Sequence, residues 1–510
     1  MSDALSPDAV HLGLDLGTQS ARAVAVDGTG RLLGAASRPL TGHRDGVRHE
    51  QDPEQWWTAL AAACREALTG IDPRRVRGLA VDATSGTVLL ADATGNPLTP
   101  GLMYDDRRAD SYAERVNTRG ARVWEKLGYR AMQPSWALPK LLWLLDGPAG
   151  PTGPTGPGGR GVPAGTRLLH QADLITWRLA GHQVASDASH ALKTGYDLID
   201  ERWPEAEFDA LGVPAGLLPD VVRPGTVLGT VCAAAAEATG VPAGTLVTAG
   251  MTDGCAAQIG AGALTPGAWN SVLGTTLVFK GASPRLVRDP GGVVYCHRGP
   301  GGTWLPGGAS SSGAGVLADR FPGARPADLD ALTARAAATG STAVVYPLVG
   351  SGGERLPFRA PEAESFVLGE PSGDAEEFHA CLLGVAFVER LCLDYLDHLG
   401  APVDGPLTFT GGGARNRYWS QLRADVLGRV ARLPEQAESA LGMAVLAATA
   451  SGATLGAAAG AMVRLREELR PDPARTARLL PVYLDFVDAL ARRGWLDQAV
   501  ADHARGKARQ

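Results

Sequence analysis

A strand–Gly–Thr–strand unit occurs twice in this chain, half its length apart, and that spacing points to a fold built from two related halves. The first copy runs Val10-His11-Leu12-Gly13-Leu14-Asp15-Leu16 into Gly17-Thr18. Ala23–Val26 then reaches Asp27-Gly28, a hairpin signal, and 31–36 follows as a third strand. The second copy, 257 positions later, runs Ala268–Leu273 into Gly274-Thr275-Thr276 and on through Leu277-Val278-Phe279. At 510 residues the chain is too long for one core. Two domains are therefore expected, residues 1–255 and 256–510, although one echo by itself does not establish a duplication.

Composition narrows the function classes. The chain is 45% hydrophobic and 20% charged, with 48 basic against 54 acidic side chains and a net charge of −6. It has no basic stripe, which argues against nucleic acid as a partner. The six cysteines (64, 232, 255, 296, 381 and 392) include no C-x-x-C pair, so reduced thiols are expected rather than disulfides or a zinc site. Residues 1–9 are polar and carry no apolar signal core, and a soluble, cytoplasmic protein is expected. Leu441–Val463 is uncharged but mostly small residues, which predicts a tightly packed buried helix and not a membrane span. Asp52-Pro53 predicts a helix start with Asp as cap and Trp57, Leu60, Ala61 and Cys64 on its apolar face. The Pro/Gly tract Gly147–Gly165 reads as a surface loop.

Three glycine-bearing turns carry the chemistry. In Asp15-Leu16-Gly17-Thr18-Gln19-Ser20 the glycine allows backbone N–H groups close to an anion, and the hydroxyls can donate to phosphate oxygens. Asp15 is a candidate ligand for the Mg²⁺ that accompanies ATP. Read alone, D-x-G-T is more often a plain turn. Thr245–Thr248 leads into Ala249-Gly250-Met251-Thr252-Asp253-Gly254, placing Asp253 at a strand end. There it can accept a proton from a sugar hydroxyl, or equally cap the next helix. Gly411-Gly412-Gly413-Ala414-Arg415-Asn416 follows the strand 407–410, where bare backbone suits a flat group such as adenine. A P-loop, a nucleophile elbow and a dinucleotide fingerprint are all missing.

Taken together these residues resemble the FGGY carbohydrate kinases, of the actin/hexokinase/Hsp70 superfamily, from about Leu12 to Gly452. Leu14–Thr18 and Leu273–Thr276 look like the two phosphate motifs. Tyr104-Asp105-Asp106-Arg107-Arg108 is similar to W-x-D-x-R, and Pro139–Leu144 to P-K-L-x-W-L. Gly353-Glu354-Arg355 with Pro357 matches G-E-R-x-P. Gly411–Ala414 resembles the adenosine motif, with Ala440-Leu441-Gly442 as its completion. Two departures stand out: Tyr104 replaces the usual Trp, and Asp82-Ala83-Thr84-Ser85-Gly86-Thr87 replaces the Q-M-H-G segment of bacterial xylulokinases.

The resemblance implies an α/β protein of two ribonuclease H-like (actin-like ATPase) domains facing each other across a cleft. The N-terminal one is expected to bind sugar and the C-terminal one nucleotide. It implies transfer of the ATP γ-phosphoryl, with Mg²⁺, to the terminal hydroxyl of a ketopentose. Asp253 is the implied base, and Ser85, Asp106 and Arg108 orient the sugar. Gly17, Thr18, Gln19, Gly274, Thr275, Thr276, Gly411, Gly412, Gly413, Ala414 and Asn416 are expected to hold ATP. Ser85, with Ser186-Asp187 and Ala191–Asp197, resembles the D-ribulose kinase-like branch and favours D-ribulose over D-xylulose. A non-catalytic ATP-binding sensor is the rival class, and a homodimer is compatible with the reading.

Overall fold

The computed structural model describes residues 5–146 and 162–508. Most of the Pro/Gly tract, 147–161, lies outside the described residues. The chain forms two compact units. The first takes Met1–Gly262, His297–Trp304 and Glu438–Arg464; the second takes Ala263–Cys296, Leu305–Ala437 and Leu465–Gln510. The sequence boundary at 255/256 lies near the end of the first segment, but two later segments return to the first unit.

The first unit is organised on strands β1 (Val10–Leu16), β2 (Ser20–Asp27) and β3 (Leu32–Pro39), helix α1 (Pro53–Ala67), β4 (Val76–Ala83), β5 (Val227–Thr230), β6 (Leu246–Thr248) and α2 (Asp253–Gly260). The sheet order is β5-β6-β4-β1-β2-β3. β1, β2 and β3 are antiparallel neighbours, whereas β1 pairs with β4, and β4 with β6, in parallel. Every residue of β1 is buried because both faces of the sheet are covered. Its side chains alternate: Val10, Leu12, Leu14 and Leu16 join the α1 core, which leaves His11, Gly13 and Asp15 on the other face.

The second unit repeats the plan with β7 (Trp269–Leu273), β8 (Leu277–Gly281), β9 (Trp304–Ala309), α3 (Asp374–His398), β10 (Leu407–Thr410), α4 (Arg417–Leu427) and β11 (Ala431–Pro434). β7, β8 and β9 are antiparallel neighbours, and β10 and β11 extend the sheet from β7 in parallel. Three antiparallel strands followed by parallel ones thus occur in both units, as expected of duplicated ribonuclease H-like domains.

The uncharged stretch predicted as one helix is two, α5 (Ser439–Ala448) and α6 (Leu455–Met462), separated by Gly452 at φ 97. The first helix runs on into a 3₁₀ turn, Thr449–Ser451, which the left-handed glycine ends, redirecting the chain. All of 440–448 is buried. Small residues permit this: a Cβ on Gly13 would lie 1.5 Å from Ala440 O, and one on Gly442 would lie 1.9 Å from Ala256 O. The helix therefore packs directly on β1 and α2. Among the described residues no helix is long and apolar enough to cross a membrane.

Helix α1 begins as expected, with Asp52 accepting from Glu54 N–H (2.9 Å) and Pro53 in its first turn. Its core tryptophan is Trp56, fully buried, and not Trp57, which is half-buried. The Trp56 indole donates to Gln51 Oε1 (2.7 Å), a partner five residues back in the preceding strand that helical spacing alone does not specify.

Candidate active site

Three carboxylates gather at the strand ends of the first unit. Asp15 ends β1 and stands in register with Asp82 on the parallel neighbour β4, so the two carboxyls share a face. Asp253 opens α2 just beyond β6, after a bridge between Thr252 and Ala83. Asp82 is fully buried, with the Asp15 carboxyl and Ser439 as its polar side-chain neighbours. Burial, and then the charges of Asp15 and Asp253, raise it well above the usual carboxylate range. Burial also raises Asp15, against the pull of Asp82, Arg22 and Ser439. The buried pair therefore titrates as a unit. The nearest compensating cation recorded for Asp15 is Arg22, at 3.6 Å and half exposed.

Asp253 is exposed, and among the described residues its Oδ1 accepts from the adjacent Gly254 N–H alone (2.7 Å). It is the first helical residue rather than the N-cap, which is Thr252. A buried chain fixes this turn. Thr252 N–H donates to Ser189 Oγ (2.9 Å), which donates to Asp187 Oδ1 (2.6 Å). Asp187 Oδ2 lies 2.5 Å from His190 Nδ1, and His190 Nε2 reaches Ala83 O at 3.3 Å. The two charges answer each other: against the penalty of burial, His190 draws Asp187 down and Asp187 draws His190 up. One network thus ties the turn before Asp253 to the strand end that carries Asp82.

The remaining first-unit candidates divide by what they are free to do. Ser85 is half-buried, and its Oγ has no partner. Tyr104, 42% exposed, is close enough for the Asp253 charge to act on its phenol, and Thr18 hydrogen-bonds it. Asp106 and Arg108 are held inward. Asp106 accepts from His49 N–H (2.7 Å) and Arg108 Nη2 (2.7 Å), while Arg108 Nη1 reaches Glu50 (2.5 Å) and its guanidinium lies over Trp143 (4.9 Å). Beside them Lys140 is wholly buried, donates to Met103 O (2.7 Å), and is pushed down by burial to about 7. The Gly17-Thr18-Gln19 tip forms the predicted hairpin, closed by Gly17 N–H to Ser20 O (3.0 Å). Gln19 is exposed, and Thr18 O accepts from Gln51 Nε2 (2.7 Å).

In the second unit the Gly274-Thr275-Thr276 tip is one residue tighter, closed by Gly274 N–H to Thr276 O (3.0 Å), with Thr275 exposed. The three glycines after β10 have different duties. Gly411 sits at φ 81 against the Leu273 backbone, and a Cβ on Gly413 would lie 2.5 Å from the Leu273 side chain. Gly412 alone faces open space. Ala414 is buried, and Asn416 caps α4 by accepting from Trp419 N–H (3.0 Å) while donating to Thr333 (2.9 Å). Glu354 of the G-E-R-x-P motif is a buried hub for Ser310, Ser312, Tyr346 and the Ser311 N–H.

Asp82 and the Ser189–Asp187–His190 chain are the members that the sequence reading missed. Asp82 had a local signal, an acidic residue ending an apolar strand as Asp15 does, but its pairing with Asp15 depends on the β1–β4 register.

Comparison with known proteins gives a consistent result. Residues 10–260 match the N-terminal domain, and 269–451 the C-terminal domain, of the FGGY family of carbohydrate kinases. The chain is 32% identical to a xylulose kinase of Streptomyces coelicolor, over 96% of this chain and 99% of that one. A second, from Streptomyces rubiginosus, is 31% identical over 88% and 89%. Among solved structures, the xylulose kinase of Rhodospirillum rubrum superposes with a TM-score of 0.82 at 26% identity, covering 95% of this chain and 98% of that one.

Proposed function

Since the chain belongs to the FGGY family of carbohydrate kinases, we propose that it transfers the γ-phosphoryl of ATP to the terminal hydroxyl of a ketopentose, with Asp253 accepting the hydroxyl proton. The observation that carries this reading is Asp253 itself: an exposed carboxylate, engaged among the described residues by its neighbour's N–H alone, on a turn anchored by buried hydrogen bonds. Phosphoryl transfer depends on placing the nucleophile and stabilising charge, and a pre-oriented acceptor does the first.

Ser85 Oγ, buried and unpartnered, supports a hydrogen bond to a sugar hydroxyl, and Tyr104 supplies an exposed ring near the same carboxylate. Asp106 and Arg108 act on the sugar by holding the segment that carries Tyr104. Thr18 and Gln19 of the first tip, Thr275 and Thr276 of the second, and the bare backbone at Gly412 are the proposed nucleotide contacts. Gly411, Gly413, Ala414 and Asn416 shape that last turn.

Mg²⁺ fits the negative charge of the Asp15–Asp82 pair, beside which Arg22 stands 3.6 Å from Asp15. Among the described residues no group of three or more His, Cys, Asp or Glu is arranged to hold a metal. Mg²⁺ usually keeps several waters and takes one or two carboxylates. Asp15 would hold it, directly or through water, and the ion would offset phosphate charge. Asp82 would set the charge and orientation of Asp15.

For the acceptor, the two xylulose kinase relatives support D-xylulose, while Ser85 in place of a histidine favours D-ribulose. An ADP-release assay against D-xylulose, D-ribulose, L-ribulose, glycerol and ribitol ranks them. Asp253→Ala should leave a folded protein with turnover lowered by about 10²–10⁴-fold. Near-normal turnover would remove Asp253 from the reaction, and ATP hydrolysis that no sugar stimulates would favour a nucleotide sensor.

A further inference from the structure

The first unit holds a cleft of about 290 Å³, lined by none of the residues proposed above to touch ATP, metal or sugar. Its polar wall is Arg223, Arg298 and Glu201; Tyr196, Leu198 and Val222 form much of the apolar side. Both guanidiniums converge over bare backbone. A methyl group built on Gly302 would lie 3.4 Å from Arg298 Nη2 and 3.5 Å from Arg223 Nη1.

One carboxylate answers both. Glu201 Oε1 accepts from Arg223 Nε at 2.7 Å and lies 3.9 Å from Arg298 Nε. Arg298 Nη1 donates to Leu198 O (3.1 Å), but its Nε is buried and has no hydrogen-bond partner. The charged lining is therefore one positive charge in excess, with a buried donor left over. A buried donor without an acceptor is costly unless something fills it. Glu201 is also the one non-glycine residue among those described with a positive φ, 52°. Such strain persists where surrounding structure imposes it, and it collects at ligand sites.

We infer that this cleft binds a small phosphate monoester, its phosphate on the Arg223–Arg298 pair and its carbon chain against Tyr196 and Leu198. Two planar forks meeting at one point suit an anion with several oxygens and two charges better than a single carboxylate. The volume is near the lower limit for ligand pockets and admits a molecule of sugar size. Glu201 competes with the ligand for Arg223, so it should weaken binding rather than assist it.

Calorimetric titration of the full chain with inorganic phosphate, ribose 5-phosphate and gluconate tests this. Ribose 5-phosphate should bind saturably and more tightly than inorganic phosphate, with gluconate about 10-fold weaker or worse. Arg223→Ala should lose about 10-fold in affinity, whereas Glu201→Gln should gain several-fold. Arg223 is 43% exposed on its side chain, so its removal should leave the fold and the ATP-dependent turnover intact. Absence of saturable binding would overturn the assignment. So would undiminished affinity in Arg223→Ala, which would place the phosphate elsewhere, weaker binding in Glu201→Gln, or gluconate binding as well as the phosphates.

Discussion

His11 shows at a single position what burial does to a titratable group. It lies on β1, fully buried, with both ring nitrogens unpartnered, and burial first and Arg77 second lower it to about 4. The unfolded chain takes up its proton near 6.5, while the folded chain resists until about 4. Acidification through that window therefore favours unfolding. By pH 4 this residue alone costs about 3 kcal/mol. His379 is lowered to about 4 by the same mechanism and adds in the same direction. His11→Val should match the wild type in denaturant at pH 7.5 and lose stability less steeply between pH 6.5 and 4.5. An unchanged acid slope would mean that His11 is not held neutral.

At the scale of elements, contact depends on residues too small to clash. Gly442 sits inside α5, where Ala would ordinarily add about 1 kcal/mol of helix propensity. Here its Cβ would meet Ala256 O at 1.9 Å. Gly442→Ala should instead destabilise by about 1–3 kcal/mol, read as a lower midpoint in denaturant with an unchanged slope. The link from the Ser186–Asp187 strand to α2 is a second such coupling. Ser189→Ala leaves the buried Thr252 N–H without an acceptor, at about 1–3 kcal/mol. If that bond positions Asp253, kcat should fall about 10-fold with KM little changed. A loss of stability with kcat intact would make the serine structural only.

At the scale of the molecule, the first unit is not continuous in sequence. Helix α5 covers the β1 face that carries Gly13, yet it follows the whole second-unit segment 305–437. A fragment ending at Gly262 should therefore expose that face and bind a hydrophobic dye, without the fixed side-chain signals of the intact protein. A fragment with native near-ultraviolet dichroism would show that α5 is dispensable for this fold.

How much of this was legible beforehand follows from where each signal resides. Both Gly–Thr tips, the Asp27–Gly28 hairpin and the Asp52–Pro53 start were readable because turn and cap chemistry is local. Helical spacing admitted Trp57 to the core because it fixes a stripe and not which of two adjacent tryptophans finds a partner; Gln51 decided for Trp56. The triple glycine reads in sequence as one ligand surface, but the close approach of Leu273 makes two of its members packing requirements. The uncharged stretch hid a break, since Gly452 could be either a helix residue or its end. The sequence by itself determined the two Gly–Thr tips half a chain apart, the strand-end acids at 15 and 253, and the helical character of the small-residue stretch. Tertiary structure alone decided that Asp82 stands beside Asp15, that Asp187 and His190 anchor the turn before Asp253, and that Arg223 and Arg298 meet over Gly302. The reason is physical: period and turn chemistry act within a few residues, whereas charge pairing depends on strand register and on segments brought together from far along the chain.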